Sequence, residues 1–347
     1  MKSTVYFVPL SAHSEAGERA AAGRRALAEL LKRCPVSGPE LPLKLHFGER
    51  GNRTYLAPEL YDGMIDLLEE RGVNVFFAET SVLYGGERFD AARHVELAKQ
   101  HGFTRLRVVI ADGDHGEAAR DVPVVNGKIF RTAAVAKLLA DAEQTLVVSH
   151  FKGHMLAGFG GAIKQLSMGF AAKGGKMAMH LGVKPRIRSW KCRACGLCAK
   201  RCNAGAIAKM KKYHIDHGKC IGCGACFSIC PHHAVSVLTW AGLKNALFGG
   251  REFRRKLVEY AMAAHHGKRN LYVTFVVNVT PGCDCEPRPM GRCVDDIGVF
   301  ASLDPVALDA ACYDAVSAAG KRFRGHEQLE YAETIGLGTR EYEVVAL

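Results

Sequence analysis

The sequence predicts an α/β protein: a mainly parallel sheet flanked by helices and interrupted by a small, cysteine-rich α+β insert. Strand-like apolar runs alternate with amphipathic helix-period segments. The alternation stops near Ile187 and resumes near Thr239, and eight of the 13 cysteines fall in the 39 residues from Cys192 to Cys230. Parallel strands need long crossovers, which amphipathic helices provide, so such alternation reads as a covered parallel sheet. The expected division is 1–187 and 239–347 as two parts of one α/β domain, with 188–238 as the insert.

Strands are expected at Thr4–Leu10, Val73–Ala78, Leu106–Ala111, Thr145–Ser149 and Leu271–Val279. Helices are expected between them. Glu15–Arg33 puts Leu27, Leu30 and Leu31 on one face. Pro58–Arg71 opens with proline and groups Leu60, Met64, Leu67 and Leu68. Asp90–His101 and Thr132–Ala142 repeat the pattern, and Arg251–Ala264 follows the insert. A last helix is expected after Ser302, with Asp304 as its cap and Pro305 in its first turn. In such a sheet, functional side chains gather beyond the carboxyl ends of the strands.

At 347 residues, with 48% hydrophobic and 24% charged residues, the chain is globular in composition. No apolar run reaches the roughly 18 residues of a membrane span. The N-terminus reads as a first strand rather than an export signal, so the expected location is cytoplasmic. There thiols stay reduced, and disulfides are not expected. Cys34 and Cys312 stand alone and read as core residues. The formal charge of +12 suits an acidic redox partner better than nucleic acid, because the basic residues do not alternate with aromatics.

The insert contains a repeat. Cys192, Cys195, Cys198 and Cys202 match Cys220, Cys223, Cys226 and Cys230 at a constant offset of 28 residues. Each unit reads C-x2-C-x2-C-x3-C, a run that holds 4Fe–4S clusters and whose fourth cysteine serves the other cluster. One cluster is therefore assigned Cys192, Cys195, Cys198 and Cys230. The other takes Cys220, Cys223, Cys226 and Cys202. The fourth cysteine is expected to open a short helix pointing away. Gly196, Gly222 and Gly224 would let the backbone approach the sulfides. Lys191, Lys200, Arg201 and Lys219 surround the motif. Two clusters at about −2 each lower the net charge to roughly +8. Lys191–Leu238 resembles two-cluster bacterial ferredoxins, with Asn203 where that family usually has proline. Zinc also accepts four cysteines, but zinc sites rarely show this tandem spacing.

Two other segments follow expected strands. Ser149–Gly169 holds His150, Lys152, His154 and Lys164 among Gly153, Gly158, Gly160, Gly161 and Gly169. A glycine-rich turn entering a helix can cradle an anion, so Gly158, Gly160 and Gly161 are candidate cofactor- or substrate-binding residues. The histidines and lysines are candidate catalytic groups for an anionic small molecule, and the histidines alternatively metal ligands. Lys173, Lys176 and His180 lie downstream. The second segment, Pro281–Gly298, carries Cys283, Cys285 and Cys293, a candidate third metal or iron–sulfur site, or else a tight loop of reduced thiols. Asp295 and Asp296 read either as acid/base groups or as caps.

The order of these motifs resembles domain-of-unknown-function family 362: Ala78–Gly86, Ser149–Gly169 with its GHMLAGFGGAIKQLSMG core, the insert, the Cys-Asp-Cys loop, and the DDIGVFASLDPVALDAA run. The resemblance covers nearly the whole chain and implies iron–sulfur chemistry without naming a reaction. GFGGAIK is also similar, over few residues, to the Gly-Gly-x-Lys stretch of lactate-racemase-like proteins. The functional expectation is an oxidoreductase whose two clusters relay electrons from an external donor or acceptor protein to the α/β domain. The competing expectation is a non-catalytic electron carrier that docks a partner enzyme.

Overall fold

The computed structural model describes residues 2–180, 185–202, 205–220, 225–236 and 250–347. Cys223, Gly222, Gly224, Asn203 and the expected boundary at Thr239 lie outside the described residues. Eight strands form the central sheet: β1 (Ser3–Pro9), β2 (Glu40–Lys44), β3 (Asn74–Glu79), β4 (Val108–Ile110), β7 (Leu146–His150), β14 (Leu271–Val276), β15 (Gly298–Ser302) and β16 (Tyr342–Ala346). Four ribbons pair β5 (Ala119–Pro123) with β6 (Thr132–Ala136), β8 (Lys152–His154) with β9 (Gly158–Gly160), β10 (Arg186–Ile187) with β13 (Val235–Ser236), and β11 (Ile207–Lys209) with β12 (Tyr213–Ile215).

The sheet order is β16-β1-β15-β14-β7-β2-β3-β4. Every neighbouring pair is parallel except the two made by β15. The α/β expectation therefore holds, with one reversed strand inside the sheet. Alternation along the strands builds two cores, because successive side chains face opposite sides. Leu271, Val273 and Phe275 of β14 pack with helices Ala16–Arg33 and Asp62–Glu69. Tyr272 and Val276 face the other core, shared with helices Ala162–Ser167, Gly250–His265 and Pro305–Ala318. Cys34 and Cys312 are buried as expected. Asp304 caps its helix by accepting from the N–H groups of Val306 (2.8 Å) and Ala307 (3.1 Å).

Two local expectations need correction. Thr132–Ala142 is not one helix: Thr132–Ala136 is β6, and only Lys137–Asp141 is helical. The β-branched Thr132 and Val135 suit a ribbon, and Ala133 and Val135 bury their side chains there. In the insert, the short helices Leu197–Lys200 and Ala225–Ile229 precede Cys202 and Cys230 rather than opening on them. The third cysteine of each run is the helical one. No helix among the described residues is long and apolar enough to cross a membrane.

Candidate functional site

The carboxyl ends of four parallel strands converge on one cavity of about 200 Å³. His46 lies just past β2, Glu79 ends β3, His150 ends β7, and the chain leaving β14 supplies Asp284 and Cys285. His150, Lys152, His154 and Lys164 all line this cavity, as do Gly160 and Gly161. The strand-end rule thus brings the glycine-rich segment and the Cys-Asp-Cys loop to one place.

Asp284 organises the floor. Its Oδ2 accepts from Lys152 Nζ and from His150 Nδ1, the latter at 3.0 Å. His150 Nε2 faces the Val277 carbonyl at 2.9 Å, so both ring nitrogens meet oxygens that only accept. Burial alone would raise the Asp284 carboxyl. Lys152 and His150 outweigh it and hold the group well below the usual carboxylate range. Asp284 Oδ1 is buried without a hydrogen-bond partner among the described residues. Backbone closeness locks this arrangement: any Cβ on Gly153 would collide with the Pro281 carbonyl.

Beside it lie two sulfurs. Cys285 Sγ donates to Cys283 Sγ at 2.7 Å, and Lys164 Nζ lies 3.5 Å from Cys283 Sγ. The bond from Cys285, with Lys164 and Lys152 nearby, draws the Cys283 thiol well below its ordinary range. The same bond and burial push Cys285 well above it. Burial would lower Lys164, but the facing sulfurs raise it. The two directions favour the thiolate on Cys283, beside the Lys164 ammonium, and the thiol on Cys285.

One ring nitrogen of His154 and the sulfurs of Cys283 and Cys285 lie within 4.8 Å of one another; Cys293 is not in this group. The half-buried Cys293 pairs its backbone N–H with Val279 O at 2.7 Å. His154 Nδ1 accepts from the N–H groups of Leu156 (3.2 Å) and Ala157 (2.9 Å). Burial and Lys164 keep its pKa well below the usual histidine range. The neutral ring then carries its proton on Nε2. A metal-bound imidazole does the reverse, donating from its second nitrogen to an acceptor. His154 is therefore arranged as a donor into the cavity rather than as a metal ligand.

Sequence reasoning missed Glu79, Arg88 and Asp284. Glu79 Oε1 accepts from Lys44 (2.7 Å), and Oε2 from Arg88 (3.4 Å) and the Thr80 N–H (2.7 Å). The available signal was position, since Glu79 ends a strand just as His150 does. Lys176 also lines the cavity, and burial pushes it down to about 8.

The glycine cradle is not open to a ligand in the expected way. The N–H groups of Ala162 and Ile163 donate to Asp309 at 2.7 and 2.9 Å, and a Cβ on Gly161 would strike that carboxylate. Gly158 instead packs against the Arg324 carbonyl. Asp295 is exposed beside Arg292, while Asp296 accepts from Ser14 Oγ, Arg19 and the Asn278 N–H. Asp296 thus ties loops together rather than entering the cavity. Burial pushes Asp309 up to about 7 against the two N–H bonds that favour its charge. Native protein then holds a proton that the unfolded chain releases above its ordinary value near 4. Stability from this group is full at low pH and is lost as pH rises through about 7. Between pH 5 and 7, unfolding free energy should fall about 2–3 kcal/mol more in the native sequence than in Asp309→Asn. Urea unfolding at each pH checks this.

In the insert, one small cavity is lined by Cys192, Cys195, Cys198 and Cys230, joining the first three cysteines of one run to the fourth of the other. Cys198 and Cys226 share an apolar cluster with Ile207 and Val235, and Cys202 and Cys230 pack against it. A tetrahedral zinc site with Zn–S near 2.3 Å puts its sulfurs about 3.8 Å apart. Among the described residues, no three of the insert's cysteines come within 4.8 Å of one another. This cysteine-rich region suits metal or iron–sulfur binding.

His180 and Phe253, α/β residues that precede and follow the insert in the chain, both line the main cavity. Arg201 of the insert meets Glu117 of the α/β domain at 3.6 Å.

The family profile described as domain of unknown function (DUF362) matches residues 42–314. No curated protein matches the chain. Among solved structures, the lactate racemase apoprotein from Thermoanaerobacterium thermosaccharolyticum matches with 11% identity and a TM-score of 0.43, covering 80% of this chain and 51% of its own. A protein from Thermotoga maritima matches with 11% identity and a TM-score of 0.41, covering 87% and 59%. The chain thus spans little more than half the length of these two structures.

Proposed function

Because this chain belongs to the DUF362 family, whose description assigns no reaction, we propose a function from its own site: an iron–sulfur oxidoreductase that reduces a small anion in the α/β cavity. The insert, ferredoxin-like in this reading, holds two 4Fe–4S clusters through Cys192, Cys195, Cys198 and Cys230, and through Cys220, Cys223, Cys226 and Cys202. Bound clusters supply single electrons at low potential. The observation that supports the reading is that His180 and Phe253, α/β residues that precede and follow the insert in the chain, lie in the wall of the cavity that gathers His150, Lys152, His154 and Lys164.

The chain's own groups then have definite tasks. Lys152 and Lys176, both buried, attract an anion into the cavity, where fixed charges act more strongly than in water. Asp284 holds Lys152 and His150 in place, so substrate meets prepositioned donors. His154 Nε2–H donates toward the bound molecule. The surrounding basic residues of the insert suit docking of an acidic electron-donor protein.

The test is acceptor-dependent reoxidation. Protein reduced without oxygen is mixed with small carboxylates, phosphates and oxyanions, and recovery of cluster absorbance is followed. At least one acceptor should reoxidise the native protein about 10²–10³ times faster than Lys152→Met of equal iron content, since losing one prepositioned donor costs that much. Equal rates in the two proteins for every acceptor would refute a catalytic cavity and favour the electron-carrier reading.

A further inference from the structure

We propose that Cys283 and Cys285 are a redox-active pair that opens and closes as a disulfide in the wall of the cavity. The proposal deepens the function above, but its test does not need the clusters. The geometry carries it. The two sulfurs already face each other at 2.7 Å, where a covalent bond would need about 2.05 Å. The loop is held so that both stay on one side. Asp284, between them, is anchored by Lys152 and His150. Glu286 Oε1 accepts from the Cys283 N–H at 3.1 Å, and Thr280 Oγ1 donates to the Gly282 carbonyl at 2.9 Å. Cys283 is buried, whereas Cys285 is partly exposed and lines the cavity, so a small exchange partner has a sulfur to reach. Lys164 faces Cys283 at 3.5 Å and favours the open form, which carries the charge. Disulfides closing so short a loop are strained, and strained, accessible bonds are the readily reduced ones.

The step balances simply. The Cys283 thiolate and the Cys285 thiol release two electrons and one proton as the S–S bond forms. Opening takes up two electrons and one proton and breaks it. With dithiothreitol as partner, the reagent's own dithiol is oxidised as the protein's disulfide opens. In the reading above, two one-electron clusters together supply one opening.

Both thiols fall on the tryptic peptide Asn270–Arg292, which contains no other cysteine. Intact protein is equilibrated without oxygen in graded mixtures of reduced and oxidised dithiothreitol, quenched and alkylated, and this peptide is weighed. The pair should pass in a single two-electron transition from doubly alkylated to unalkylated and 2 Da lighter. Lys164→Met should close in buffers roughly tenfold or more richer in the reduced reagent, because a hydrogen bond to a charged sulfur is lost. Cys285→Ala should leave Cys283 singly alkylated at every ratio, and circular dichroism checks that this variant is folded. Two labels at every ratio in folded native protein would overturn the proposal. So would thiols that resist alkylation when fully reduced and keep a metal ion that Cys285→Ala loses. A working disulfide with no acceptor-dependent reoxidation would sustain this inference while sinking the proposed reaction.

Discussion

Glu79→Ala should destabilise the protein by about 3–5 kcal/mol, because it strands the buried Lys44 and leaves the buried Arg88 with the more distant Glu49 carboxylate at 3.7 Å. Lys44 is 0% exposed and Arg88 3%, and both direct charge at the Glu79 carboxylate. Burial would raise that carboxyl, but Lys44 and Arg88 pull it down to about 2. Set against a typical total of about 5–15 kcal/mol, the loss should appear as a large drop in the urea midpoint with an unchanged slope. The sign with pH follows from the depressed value. The carboxylate contributes fully above its ordinary pKa near 4.5 and loses that contribution as pH falls toward 2, so the variant's stability should fall less steeply in acid. Removing the pair together, as Lys44→Met with Glu79→Leu, should recover the part of the loss that comes from Lys44, since apolar replacements of a buried pair are often neutral, while Arg88 keeps Glu49 at 3.7 Å. A single variant as stable as the native protein would show that water reaches these cations.

The second large effect concerns the crossed fourth ligands. Cys195→Ser and Cys230→Ser should remove the same cluster, so the double variant should keep about half the iron, near four atoms per chain. Cys195→Ser with Cys202→Ser should strike both clusters and leave little iron. If ligation instead followed chain order, the two double variants would exchange results. The cavity that joins Cys230 to Cys192, Cys195 and Cys198 favours the crossed outcome. Iron assays on anaerobically purified variants decide between them.

Much of this was legible in the sequence where chemistry acts locally. The cysteine runs announce themselves because three ligands to one centre must sit in one tight turn. Strands β1, β3, β7 and β14 stood out as apolar runs, and the strand-end rule located His150 and Lys152. Strand β2 did not stand out, for physical reasons. Pro42 lies mid-strand and lacks an N–H, and Lys44 is charged, yet Lys44 is fully buried because Glu79 neutralises it. Pairing with β7 begins at Leu43, just past the proline. Other features were invisible because they are long-range. Asp309 caps a helix 147 residues away in the chain, and Asp284, given no role from the sequence, meets Lys152 and His150 only in the fold. The same folding set His154, rather than Cys293, beside Cys283 and Cys285.

In the proposed function the insert carries iron–sulfur clusters that pass electrons to the α/β cavity. Metal and acid-labile sulfide content of protein purified without oxygen, read with electron paramagnetic resonance after reduction, tests it most directly. About eight irons and about eight sulfides per chain are expected, with the interacting signals of two reduced 4Fe–4S clusters. Colourless protein holding zinc and no sulfide would contradict it.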